Sequence, residues 1–237
     1  MKAIKIILFL IGSFIAVVLL TIVIALVIGM IQEKVFVPQD YLMWIFKYPF
    51  SRFVFVYELY FAIAVFYTYS KYFSEKGSSY NWTNSSKIKR YKKLIITTFV
   101  TLNLVLFYMI ITAVTVITSN KIIDHSFLSP QGREYSYTDV VKINSGVHGK
   151  NRWWMNSSFT HAKGDFFYLI ELNDGTRIDL AESGGTKQDD PRFILEELDK
   201  TLVNMGIPKQ SSMENFQYIN LGEIYKEKIR NILENVN

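Results

Sequence analysis

One feature constrains this chain more than any other: the run from Ile6 to Ile31 carries no charge at all. It exceeds the roughly 20 residues that an α-helix needs to cross the hydrocarbon core of a bilayer. Lys2 and Lys5 precede it, as they would a signal peptide, but the apolar run outlasts an ordinary h-region. No small-residue cleavage site follows before Gln32 and Glu33, so the run reads as an uncleaved anchor.

Two further apolar stretches follow. The second expected span covers 53–70 and the third 94–118, the latter apolar apart from its threonines and Asn103. Between the first and second spans lies an aromatic stretch, Tyr41, Trp44, Phe46, Tyr48 and Phe50. Trp and Tyr favour the headgroup zone, so Asp40 to Pro49 is expected as a short interfacial helix. The chain then divides into a membrane domain, 1–119, and an extracytoplasmic α+β domain, 120–237.

Charge follows the same division. Residues 1–120 hold 12 basic and 4 acidic side chains, whereas residues 121–237 hold 14 basic and 17 acidic ones. The basic excess therefore belongs to the membrane half, and the folded half has no excess of positive charge with which to hold nucleic acid. The loop 71–93 contains Lys71, Lys76, Lys87, Lys89, Arg90, Lys92 and Lys93 against the single acid Glu75. By the positive-inside rule this loop and the N-terminus are cytoplasmic, and residues 120–237 lie outside in a multi-pass cell-membrane protein. The chain contains no cysteine, which excludes disulfides, thiol catalysis and cysteine-based metal sites.

The second half reads as a small antiparallel sheet followed by two helices. Ile122–Leu128 is expected as a strand closed by a turn at Ser129-Pro130-Gln131-Gly132. Tyr135–Ile143 alternates in part, and Phe166–Leu172 with Thr176–Leu180 flank Asn173-Asp174-Gly175 as a hairpin. Gly146–Ser158 reads as a loop. Asp189 or Asp190 caps a helix that begins at Pro191 and stops at Gly206, and a second helix starts at Asn220 with Glu223 three residues on.

The segment Tyr135-Ser136-Tyr137-Thr138-Asp139-Val140, the Asn173-Asp174-Gly175 hairpin with Ile178-Asp179-Leu180, and the helix Pro191–Gly206 together resemble a bacterial pleckstrin-homology-like domain. Such domains stand beside transmembrane helices in several bacterial membrane proteins, some of them bacteriocin-immunity proteins. The resemblance covers about 60 residues; the Trp153-Trp154 region and the second helix fall outside its pattern. It implies a binding or scaffolding role without catalytic residues.

Candidate chemistry is sparse. His125, His148 and His161 lack the spacing of a zinc site, and His148 and His161, which flank the expected loop, read as exposed imidazoles. Gly184-Gly185 ahead of a helix suggests a phosphate loop, but Glu182, Asp189 and Asp190 would repel phosphate, so a flexible connector is expected. Neither a catalytic constellation nor a cofactor or metal is expected. Arg152, Trp153, Trp154 and Met155 are the best contact candidates, since aromatics and Arg dominate binding hot spots; the same residues would also suit the domain's own core or the membrane surface. Glu58 is an acid within an apolar span, which marks either a helix starting at the interface or an ion, proton or partner contact. Asn103 suits helix packing. The expected function is a non-enzymatic membrane protein whose outer domain binds a protein, peptide or envelope ligand; an accessory transport subunit packing through Glu58 and Asn103 is the alternative. The expected partners are the bilayer and a protein or peptide.

Overall fold

The computed structural model describes residues 2–47, 50–73, 86–149, 161–187 and 189–236. These form two compact units: residues 1–30 with 53–111, and residues 31–52 with 112–237.

The first unit is helical. Helix α1 is Lys2–Phe36, α2 is Phe55–Phe73 and α3 is Ser86–Thr112. Among the described residues two helical stretches are long and apolar enough to cross a membrane, Ile11–Phe36 and Tyr91–Thr112. The apolar part of α2, Phe55–Thr68, is shorter, so length and composition support two of the three expected spans. Phe14, Phe66 and Leu104 point outward, an apolar surface that suits acyl chains rather than water. Tyr57 donates to the Asn103 carbonyl at 3.4 Å and the Tyr60 and Phe99 rings lie 5.5 Å apart, tying α2 to α3.

The second unit is α+β. Its first sheet runs in the order β4 (Ser129–Ser136), β3 (Lys121–Ser126), β2 (Val114–Thr118), β1 (Tyr41–Phe46), β8 (Ser183–Thr186), all antiparallel. The second sheet runs β7 (Arg177–Asp179), β6 (Phe166–Leu172), β5 (Val140–Val147), β9 (Lys209–Ser211), with only β9 parallel to its neighbour. Helices α4 (Pro191–Asn204) and α5 (Glu223–Glu234) complete the domain.

Several expectations change here, and of the loop expected over 146–158 the first two residues belong to β5 while 150–158 lie outside the described residues. The aromatic stretch before the second span is not an interfacial helix: Tyr41–Phe46 is a strand, with Met43, Trp44 and Ile45 buried between β2 and β8. Aromatic and β-branched residues fit a pleated, buried surface as well as they fit a headgroup zone. The third expected span stops being helix at Thr112, and Val114–Thr118 is a strand buried at every position. Its run of Val, Thr and Ile suits a strand covered on both faces. Finally, the turn expected at Ser129-Pro130-Gln131-Gly132 falls at Phe127-Leu128, and those four residues belong to β4.

Both sheets and α4 share one core, including Ile45, Ile117, Ile143, Tyr168, Ile170, Leu195 and Leu202. The hairpin appears where the sequence places it: Gly175 holds φ +84°, a conformation that costs a glycine nothing. The Tyr135 hydroxyl donates to Asp174 at 2.7 Å, and Asn173 donates to Asp139 at 2.8 Å, so the Tyr135–Val140 segment is fastened to the hairpin turn. Asp190, not Asp189, caps α4, accepting from the Arg192 amide at 3.0 Å. Helix α5 begins at Glu223 behind Gly222, without the side-chain cap expected from Asn220.

One buried charge pair joins these layers. Lys209 Nζ lies 2.6 Å from Asp199 Oδ1, and the two side chains are 0% and 1% exposed. Asp199 also accepts from the Tyr168 hydroxyl at 2.7 Å and from Asn235 at 2.8 Å. The same ammonium donates to the Ile232 carbonyl, and the Ser211 hydroxyl donates to the Leu233 carbonyl at 2.7 Å. Two carbonyls of the last turn of α5, which no helical amide can reach, are thereby capped from β9. Burial lowers the Lys209 pKa and Asp199 opposes that shift; burial and Asp199 together raise the Tyr168 phenol well above its ordinary range. Removing one member of such a pair strands the other charge at a cost of about 3–5 kcal/mol. Lys209→Met or Asp199→Leu alone is expected to lower the unfolding midpoint of the purified chain sharply, and the double substitution to lower it less than either, measured by thermal denaturation in one detergent.

Candidate binding cleft

Among the described residues β8 pairs with β1 alone, and Gly184, Gly185 and Thr186 line a cleft of about 630 Å³. The cleft is bounded by the α4 N-terminus, the turn before β6 and the segment leading to α5. Gly184 and Gly185 form much of β8 because Trp44 lies against them: a Cβ on Gly184 would come within 2.3 Å of the indole, and one on Gly185 within 2.8 Å. The glycine pair is thus neither a phosphate loop nor a flexible connector. It lets an edge strand lie flat on a buried tryptophan, a packing requirement that also explains glycine in a strand.

Charge of both signs surrounds that edge. The Lys163 ammonium stands 3.3 Å from the Tyr218 ring centroid. Arg192 is paired with Asp190 at 3.0 Å and stacks at 4.8 Å over Tyr225. His161 Nδ1 lies 3.5 Å from Glu182. Buried Leu195 and Ile229 supply an apolar floor. A backbone edge, an apolar floor and paired charges of both signs are what an extended peptide needs to dock as an added strand.

His148 and His161 depart from the expected exposed imidazoles. His125 is buried, its Nδ1 2.9 Å from the Pro130 carbonyl. His148 and His161 stack with centroids 4.6 Å apart and planes within 6°. Their two chain segments are fastened by the His148 amide donating to the Asp165 carbonyl at 2.9 Å and the Gly164 amide donating to the His148 carbonyl at 2.8 Å. Among the described residues the buried His148 Nε2 finds no hydrogen-bond partner. Among the described residues no group of three or more His, Asp or Glu side chains is arranged to hold a metal ion.

Of the residues singled out from sequence, Arg152, Trp153, Trp154 and Met155 lie outside the described residues. Asn103 turns its amide to its own helix, donating to the Phe99 carbonyl at 2.8 Å. Among the described residues the shielded Glu58 Oε1 finds no hydrogen-bond partner. The β8 edge was not foreseeable from Gly184-Gly185 alone; the missing signal is Trp44, far away in sequence, which the glycines accommodate. No family model, no curated protein and no solved structure matches this chain.

Burial, with the stacked His161 ring, pushes the His148 pKa below its ordinary 6.5, while Asp179 and Asp165 oppose the shift. A depressed imidazole pKa means the unfolded chain binds the proton more readily. The stability it contributes is complete above about pH 6.5 and is lost as the pH falls through the folded-state value. Denaturation midpoints measured between pH 7.5 and pH 5 (a range of roughly that width brackets the titration) are expected to decline, and His148→Phe to flatten that decline.

Proposed function

We propose that this chain is a non-enzymatic, multi-pass membrane protein whose C-terminal domain captures an extended peptide segment of a partner along β8. The observation that carries this reading is β8, which among the described residues pairs with β1 alone and lines the cleft together with paired charges. Main-chain hydrogen bonds give affinity in such strand addition, and side-chain pockets give selectivity. Helices α1 and α3 supply two crossings and the second span, 53–70, supplies the third through α2. The positive charge of 71–93 keeps that loop cytoplasmic, and the α+β domain is extracytoplasmic. The pleckstrin-homology-like resemblance is favoured by the fastening of the Tyr135–Val140 segment to the hairpin and by α4 packing into the shared core. Immunity against a secreted toxin is one concrete form of the role, with Arg152, Trp153, Trp154 and Met155 as further contact residues.

A second reading is favoured by Glu58, whose shielded oxygen lacks a hydrogen-bond partner among the described residues: α2 packs against another membrane subunit of a transport complex.

Hydrogen exchange of the full chain in nanodiscs, incubated with a panel of random extended peptides, tests the first reading. A binding peptide is expected to slow exchange of the 183–186 amides, and Lys163→Glu with Arg192→Glu to weaken it at least tenfold, ~1.4 kcal/mol. Binding that leaves those amides unchanged contradicts the proposal.

A further inference from the structure

The turn between β3 and β4 is made of Phe127 and Leu128. Two-residue hairpin loops ordinarily take Asn, Asp or Gly, because the tight turn asks for positive φ and water asks for polarity. Neither Phe127 nor Leu128 has positive φ, so no backbone demand selects them. Leu128 is 83% exposed and Phe127 41%. A lone exposed leucine needs no explanation. A Phe-Leu pair at the tip of a hairpin does.

The register of the first sheet shows what lies at that end. Thr115 pairs with Asp124 and Phe46 pairs with Val114, so the start of β2, the end of β1 and the end of β3 share one edge of the sheet. Three stretches of chain meet there. Phe36, the last residue of α1, places its ring 4.9 Å from His125. Lys47, where the chain leaves β1 towards α2, donates its amide to Ala113, where the chain arrives from α3, at 3.1 Å. The Lys47 ammonium pairs with Asp124 at 2.7 Å and donates to the His125 carbonyl at 3.1 Å. Phe36, Lys47 and Ala113, residues of this domain near its junctions with the apolar helices, therefore gather at the end of the sheet that carries the Phe127-Leu128 tip.

We propose that Phe127-Leu128 is an interfacial lipid anchor, an apolar hairpin tip seated at the boundary between headgroups and acyl chains. The inference rests on the reading that α1 and α3 cross the bilayer. An apolar pair there would be desolvated by lipid, and the residues that gather at the same end of the sheet adjoin the apolar helices in sequence. The covered tip would also restrain the domain's tilt.

The native chain contains no cysteine, so single substitutions give unique labelling sites. The full chain bearing Leu128→Cys, labelled with an environment-sensitive fluorophore, is reconstituted in phosphatidylcholine–phosphatidylglycerol vesicles containing lipids with nitroxides at shallow or deep positions. Val23→Cys, 54% exposed on α1, reports the crossing, and Val141→Cys, 47% exposed on β5, reports the aqueous face. The inference expects the probe at 128 to lose emission with shallow nitroxides, the probe at 23 with deep ones, and the probe at 141 with neither. Quenching at 23 but not at 128 overturns the anchor while leaving the membrane reading intact. A blue-shifted, unquenched probe at 128 overturns it too, because protein rather than lipid then covers the tip. Absence of quenching at 23 removes the membrane reading and the anchor with it.

Discussion

The α+β domain depends on one interaction, the Asp199–Lys209 pair. Two opposite charges are held almost wholly out of water, a placement that is tolerable only when every polar atom around them is satisfied. The surroundings meet that demand: Tyr168 from β6, Asn235 beyond α5 and the Ile232 carbonyl each complete one bond. The pair thereby dictates that α4, β9 and α5 occupy their places together. Beside it, Glu196 on α4 binds Lys200 on its own helix and Lys228 and Asn231 on α5. Burial would raise the Glu196 pKa, but those hydrogen bonds outweigh it and hold the carboxyl at about 2. Its contribution is therefore present above the ordinary carboxylate pKa of about 4.5 and is lost as the pH falls towards 2.

With the helices fixed, the cleft follows. The N-terminus of α4 is capped by Asp190, which also holds Arg192 at the rim. The opposite wall is β8, which exists as a strand because Gly184 and Gly185 accept the Trp44 indole. Trp44 in turn is buried with Val114 and Val116, on the side of the first sheet away from the shared core. The candidate site is thus a consequence of packing on both faces of a sheet whose central strands are contributed by segments adjoining the apolar helices.

Much of this was legible in the residues, and the failures have physical causes. An uncharged run of the length of Ile6–Ile31 has few alternatives to a helix. The hairpin at Asn173-Asp174-Gly175 and the α4 stop at Gly206 are local events whose turn chemistry is carried by the residues themselves. Tyr41–Phe46 was misread because interfacial belts and buried strands draw on the same aromatic residues, and only tertiary partners separate them. Val114–Thr118 was misread because hydropathy does not change where α3 gives way to β2. Lys209 could not be assigned from sequence at all: a solvated lysine and a buried one look alike until the acid that pairs with it, ten residues away, is brought opposite.

The proposed topology holds a folded domain outside the membrane by helices whose basic connecting loop is inside. Its most direct measurement is labelling of single cysteines in intact cells by a membrane-impermeant maleimide. The account predicts that Met213→Cys, exposed on the α+β domain, labels before lysis, and that Lys76→Cys in the basic loop labels only after it. Labelling of position 76 in intact cells, with position 213 protected until lysis, would contradict it.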